Sequence, residues 1–101
     1  MKAPIQVSQD ALAGFCRRNG IRKLSLFGSI LTGRFSEASD IDVLIDLEPG
    51  RPTGYIRMAA MERELSSLFG GRKVDLRTPH ELSRYFRDEV VRTAAVQYAA
   101  Q

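Results

Sequence analysis

The feature that most constrains this chain's fold is the alternation in residues 40–47, which read DIDVLIDL. Successive side chains of a β-strand point to opposite faces, so Ile41, Val43 and Ile45 share one face. Asp40 and Asp42 share the other. The pattern predicts a strand whose apolar face meets the core, and it leaves two carboxylates side by side on the opposite face.

Those two carboxylates repel each other. Asp40 and Asp42 would lie about 6.6 Å apart along the strand, where two unit charges repel by roughly 2.5 kcal/mol at an effective dielectric of about 20. Stability alone gives little reason for such a pair, whereas a divalent cation such as Mg²⁺ takes oxygen ligands of this kind. The alternative is that Ser39 and Asp40 form a turn and that Asp42 is a solvated strand residue.

A loop of small residues precedes the paired aspartates. Gly28 follows a predicted strand, where a missing side chain lets backbone N–H groups approach a phosphate. Ser29 adds a hydroxyl at the start of a short helical turn, and Gly33 permits close packing of that turn. A glycine–serine pair is by itself more often a plain turn, and the spacing matches neither a P-loop nor a dinucleotide-binding fingerprint.

Asp75 is a third candidate carboxylate. It alternates with apolar neighbours in the run KVDL, so it faces away from the core on a further predicted strand. If that strand neighbours the one at residues 40–47, Asp75 completes a cluster with Asp40 and Asp42. Asp46 shares their face but lies about 13 Å from Asp42, the nearer of the two, so we interpret it as a solvated strand end.

The remaining elements follow from caps, breakers and periodicity. The predictions are a helix from Ser8 to residue 18 stopped by Gly20, a strand at 21–27, a helix from Thr53 to about residue 69, a strand at 72–78, a capping box at residues 78–81, and a last helix or broken pair of helices through residues 82–98. The fold class is therefore α/β, with a small mixed β-sheet flanked by helices.

Composition excludes several classes of protein. With 101 residues, the chain suits a single domain spanning residues 1–101. The apolar runs are too short to cross a membrane, and one cysteine, Cys16, fits a buried structural thiol in a reducing cytoplasm. The net charge of +3 comes without a run of basic residues, so no direct nucleic-acid binding is predicted.

Gly28–Ser29, Gly33, the Asp40-x-Asp42 pair and the later Asp75 together resemble the DNA polymerase β-like nucleotidyltransferases. The nearest likeness is to the minimal nucleotidyltransferase group, often found as antitoxins beside a HEPN-domain RNase toxin. The resemblance implies the polymerase β-like fold, with a two-ion Mg²⁺ site. Its catalytic and metal-binding residues would be Asp40, Asp42 and Asp75, and its nucleotide-binding residues Gly28, Ser29 and Gly33.

The resemblance also implies a function. The chain would transfer AMP from ATP to a hydroxyl of a partner HEPN-type toxin, forming a hetero-oligomer and acting as its antitoxin in the cytoplasm. The alternative is a catalytically inactive antitoxin that neutralises the toxin by binding alone.

One position departs from the family pattern, because Thr32 stands where many members carry arginine. Arg34, one residue after Gly33, is an alternative source of that positive charge, although it would point about 200° away on a helix. Lys73 and Arg77 share the strand face of Asp75, where they either meet phosphates or form a solvated charged face.

Overall fold

The computed structural model describes residues 7–31, 39–50, 54–85 and 87–100. The helices are α1 (Gln9–Asn19), α2 (Tyr55–Leu68) and α3 (Arg87–Thr93), and the strands are β1 (Ile21–Phe27), β2 (Ile41–Leu47), β3 (Val74–Arg77) and β4 (Ala95–Ala99). Two 3-10 helices follow strands, at Gly28–Leu31 after β1 and at Pro79–Glu81 after β3.

The strands form one sheet in the order β3-β2-β1-β4. Strand β1 pairs antiparallel with both β2 and β4, while β2 pairs parallel with β3. The sheet is therefore mixed, as the sequence predicts. Strand β2, which carries the DIDVLIDL pattern, lies between two partners in the interior of the sheet.

The ends of α1 match their sequence signals. The Ser8 hydroxyl accepts a hydrogen bond from the Ala11 backbone N–H at 3.2 Å, which satisfies one free donor of the first turn. Gly20 ends the helix in the left-handed conformation at φ 67°, and its N–H donates to the Arg17 carbonyl. Helix α2 begins at Tyr55; Thr53, its predicted start, lies outside the described residues.

One face of the sheet carries the apolar core. Ile41, Val43 and Ile45 are fully buried there, together with residues of α1 and α2 such as Phe15 and Leu65. The prediction that Ile41, Val43 and Ile45 form the buried face of β2 is thus confirmed. The opposite face is more polar.

The predicted helix through residues 82–98 is wrong at its end. Helix α3 stops at Thr93, and residues 95–99 form β4, which pairs with β1 at Leu24 and Tyr98. Without β4, the strand β1 would expose a full edge of unpaired N–H and C=O groups. Pairing with that edge outweighs the helix propensity of an alanine-rich segment.

No helix in the part of the chain that the structure describes is long and apolar enough to span a membrane.

Candidate functional site

The carboxylates singled out in the sequence come together through strand pairing. Asp42 on β2 and Asp75 on β3 are register partners in the parallel pair. Asp40 lies two residues before Asp42, just ahead of β2. Parallel partners point to the same face of a sheet, so Asp42 and Asp75 project side by side away from the core. The sequence analysis made the cluster depend on these two strands being neighbours, and the structure meets that condition.

The charges of Asp75 and Asp40 affect the ionisation of Asp42. The pKa of Asp42 is raised above its ordinary value, first by burial and then by repulsion from Asp75 and Asp40. The positive charge of Arg77 partly offsets this increase. Burial and the two neighbouring carboxylates therefore disfavour the ionised form of Asp42.

Gly28 packs directly against Asp42. The glycine follows β1, whose last residue, Phe27, is the register partner of Asp42, and it adopts φ +78°. A Cβ atom built on Gly28 would clash with the Asp42 carboxylate oxygen Oδ2 and lie 3.1 Å from Cγ. Both the backbone angle and the close approach require glycine here.

The rest of the small-residue loop is only partly described. Ser29 is half-buried in the 3-10 helix Gly28–Leu31, which leaves β1 beside the start of β2. Gly33, the third predicted nucleotide-binding residue, lies outside the described residues, as do Thr32 and Arg34.

Two basic side chains of the β3 segment contact the carboxylates. The Arg77 guanidinium forms a two-point ion pair with Asp75, with Nε 3.2 Å from Oδ1 and Nη2 3.3 Å from Oδ2. Lys73 Nζ lies 3.9 Å from Asp40 Oδ2. This arrangement agrees with the interpretation of a solvated charged face, in which Lys73 and Arg77 are counterions of Asp40 and Asp75.

Three hydrogen bonds that the sequence did not reveal hold β3 in place. Arg72 Nη2 donates to the Ser39 carbonyl at 3.3 Å, and the Ile41 N–H donates to the Lys73 carbonyl at 2.9 Å. On the outer edge of β3, Glu62 Oε2 of α2 accepts from the Leu76 N–H at 2.8 Å. These bonds join segments 14 to 33 residues apart, which leaves no local sequence signal.

The donor set suits a hard divalent cation, because all three candidate ligands are carboxylates. In the described ranges 7–31, 39–50, 54–85 and 87–100, no three acidic, histidine or cysteine side chains are arranged to hold a metal ion. The strand register fits such a site, and the side chain of Asp75 is turned onto Arg77. A metal ion held by all three carboxylates would require the Asp75 side chain to rotate away from Arg77.

A groove of about 750 Å³ adjoins Asp75 on the side away from Gly28. Met58 and Ala59 of α2 form one apolar wall, and Leu76 and Arg77 of β3 form part of the other. Asp75 is one of the residues that line this groove, together with Thr78 and Glu81.

Comparison with known proteins agrees with this geometry. The family model described as a nucleotidyltransferase domain matches residues 9–97. The protein adenylyltransferase MntA of Thermococcus cleftensis is 37% identical over 59 residues, which cover 58% of this chain and 57% of that protein. A solved structure of a candidate minimal nucleotidyltransferase is 31% identical, with a TM-score of 0.69 and 85% of each chain covered.

Two more distant structures share the fold. A toxin–antitoxin structure with AMP-PNP is 22% identical, with a TM-score of 0.71, and covers 94% of this chain and 76% of that one. A complex of tri-AMPylated Shewanella oneidensis HEPN toxin with MNT antitoxin is 21% identical, with a TM-score of 0.63, covering 92% and 71%. This chain thus belongs to the nucleotidyltransferase domain family, in the minimal nucleotidyltransferase group.

Proposed function

We propose that this protein is a Mg²⁺-dependent nucleotidyltransferase that transfers AMP from ATP to a hydroxyl group of a HEPN-type toxin and thereby acts as its antitoxin. The observation that carries the proposal is the register of Asp42 with Asp75, beside a glycine that packs against the Asp42 carboxylate. A binding module has no need of mutually repelling carboxylates on one sheet face.

Each residue of the site has a proposed role. Asp40, Asp42 and Asp75 hold the divalent ions, which when bound neutralise charge on the attacking and leaving oxygens. Gly28 and Ser29, with Gly33 in the same loop, hold the triphosphate through backbone N–H groups and the serine hydroxyl. The tight contact between Gly28 and Asp42 supports this division, because it brings the phosphate loop next to the metal-binding carboxylates.

The acceptor would enter through the groove beside Asp75. Its hydroxyl oxygen forms the new bond to the α-phosphorus of ATP, while the bond from that phosphorus to the bridging oxygen breaks and pyrophosphate leaves. Asp75 orients the hydroxyl and accepts its proton. The apolar wall of Met58 and Ala59 suits a protein segment better than a second nucleotide.

The choice of AMP and of a HEPN toxin rests on relatives. One relative is named a protein adenylyltransferase, and one structural neighbour is an antitoxin in complex with an AMPylated HEPN toxin. The second candidate function is a catalytically inactive antitoxin that neutralises its toxin by binding alone. The observation that favours it is Thr32 at the position where many family members carry arginine.

The test is intact-mass spectrometry of the partner toxin after incubation with this protein, ATP and Mg²⁺. The proposal expects a mass increase of one or more AMP groups with the wild-type protein and none with Asp42→Asn. Asp46→Asn is the matched control, because it makes the same change four residues along the same strand, opposite Lys23 rather than Asp75.

The outcomes separate the two candidates. Modification that persists in Asp42→Asn would contradict the assigned site. A wild-type protein that inhibits the toxin without adding mass would favour inhibition by binding alone. Loss of modification in Asp46→Asn as well would mean that the loss does not report on the Asp42–Asp75 pair.

A further inference from the structure

We propose that Arg77 competes with the divalent cation: its guanidinium pairs with both oxygens of the Asp75 carboxylate and has to leave before Asp75 can ligate a metal. This inference rests on the proposed function, since it assigns a regulatory contact within the same site. It concerns entry of the metal, which is a step separate from transfer of the nucleotide.

The geometry of the contact carries the proposal. Arg77 and Asp75 are two residues apart on β3, so both side chains project from the same face. Nε approaches Oδ1 at 3.2 Å and Nη2 approaches Oδ2 at 3.3 Å, so both oxygens of Asp75 face the guanidinium. Because both oxygens of the Asp75 carboxylate are paired with the guanidinium, their lone pairs on that side are not available to another cation.

The contact is also easy to break. Arg77 and Asp75 side chains remain 44% and 37% exposed, and exposed ion pairs are weak. A doubly charged ion can displace such a guanidinium, and the cost of doing so lowers the affinity for metal alone. Metal that arrives with the triphosphate has additional contacts to offset that cost. Arg77 thus favours loading of the metal–nucleotide complex over loading of free metal.

The first test measures binding of Mn²⁺ to the nucleotide-free protein by electron paramagnetic resonance. Arg77→Met should bind Mn²⁺ about two- to fivefold more tightly than wild type, the range expected for loss of an exposed ion pair. The control is Lys23→Met, which removes a positive charge from the same sheet face opposite Asp46, away from Asp75. It should stay within about twofold of wild type.

Each outcome of this test bears on a different claim. Unchanged affinity in Arg77→Met, or equal tightening in Lys23→Met, would overturn the role of Arg77 and leave the proposed function standing. A failure of all three proteins to bind Mn²⁺ without nucleotide would overturn this inference alone, whereas a failure to bind Mn²⁺ even with a non-hydrolysable ATP analogue would overturn the proposed function as well.

A second test needs no substitution in the protein that is measured. During a Mg²⁺ titration of the wild-type chain, the NMR signal of the Arg77 Nε–H group should shift as the ion pair opens. Its assignment comes from the loss of that signal in Arg77→Lys. The Nε–H signal of Arg18, which pairs with Glu64 at 2.7 Å between α1 and α2, should stay in place. A stationary Arg77 signal at saturating Mg²⁺ would overturn the proposal.

Discussion

Glycine is required at position 28 for two independent reasons, the backbone angle and the close contact with Asp42. The backbone angle of +78° disfavours any side chain, and the Asp42 carboxylate fills the space that a Cβ atom would need. The glycine is therefore part of the acidic site as well as of the turn. Its sequence signal, a Gly-Ser pair after a strand, is weak without the aspartates that follow.

Gly28→Ala should lower the free energy of unfolding by about 2–3 kcal/mol, because it adds backbone strain and a clash with a carboxylate. The matched control is Gly70→Ala. Gly70 has a similar angle of +74° but no heavy atom within 4 Å of a built Cβ, so it should cost only about 1 kcal/mol. Chemical denaturation measures both values. Equal losses would mean that the contact with Asp42 contributes nothing.

Asp42→Asn should make the metal-free protein more stable by up to about 1 kcal/mol, once solvent screening is allowed for. The reason is that burial, Asp75 and Asp40 all disfavour the ionised form of Asp42. Asp46→Asn should change stability by less than about 0.5 kcal/mol. The measurement is urea denaturation in the presence of a chelator. A clear destabilisation by Asp42→Asn would contradict the repulsion inferred for this site.

At the scale of elements, β4 is the part of the fold that the sequence did not predict. Tyr98 of β4 pairs with Leu24 and packs against the buried core, whereas Tyr85, 87% exposed, contributes nothing to it. Helix α3 has no buried residue among those described. Local periodicity could not distinguish these tyrosines, because the partner of β4 lies about 70 residues earlier in the chain.

Tyr98→Ala should therefore lower the free energy of unfolding by about 1–3 kcal/mol, less than a fully buried aromatic side chain would cost. The same substitution at Tyr85 should cost less than about 0.5 kcal/mol. Thermal or chemical denaturation of the two variants gives the comparison. A larger loss for Tyr85→Ala would indicate that the segment packs as the helix that its periodicity suggests.

Other elements could be predicted because their signals are local. Ser8 marks the start of α1 through its hydroxyl and Gly20 marks its end through its backbone N–H, and the alternation of β2 shows which face is buried. The partnership of Asp42 with Asp75 required only the assumption that their strands are neighbours. The ion pair between Arg77 and Asp75 depends on side-chain conformation. The alternation of β3 predicts the sheet face on which each side chain lies, but not the direction in which its end points.

At the scale of the whole molecule, Cys16 reports on the integrity of the core. The thiol lies on α1, has no exposed surface, and burial raises its pKa to about 12. Little reactive thiolate exists in the folded state at pH 8, and reagents cannot reach the sulfur. The prediction of a buried structural thiol is confirmed.

Labelling of Cys16 by a thiol reagent should therefore require unfolding of the core. We expect the free energy derived from labelling rates in urea to match that of global unfolding, since the surrounding residues form one continuous core. Rapid labelling in the absence of urea would contradict this expectation. It would indicate that α1 detaches from the sheet independently.

The most direct test of the whole account is a crystal structure of the protein with Mn²⁺ and a non-hydrolysable ATP analogue, using anomalous scattering to locate the metal. We predict metal density contacting the carboxylates of Asp40, Asp42 and Asp75, with the triphosphate over Gly28 and Ser29 and Arg77 released from Asp75. Metal bound elsewhere on the chain, or a bound nucleotide with Asp75 still held by Arg77, would contradict the account.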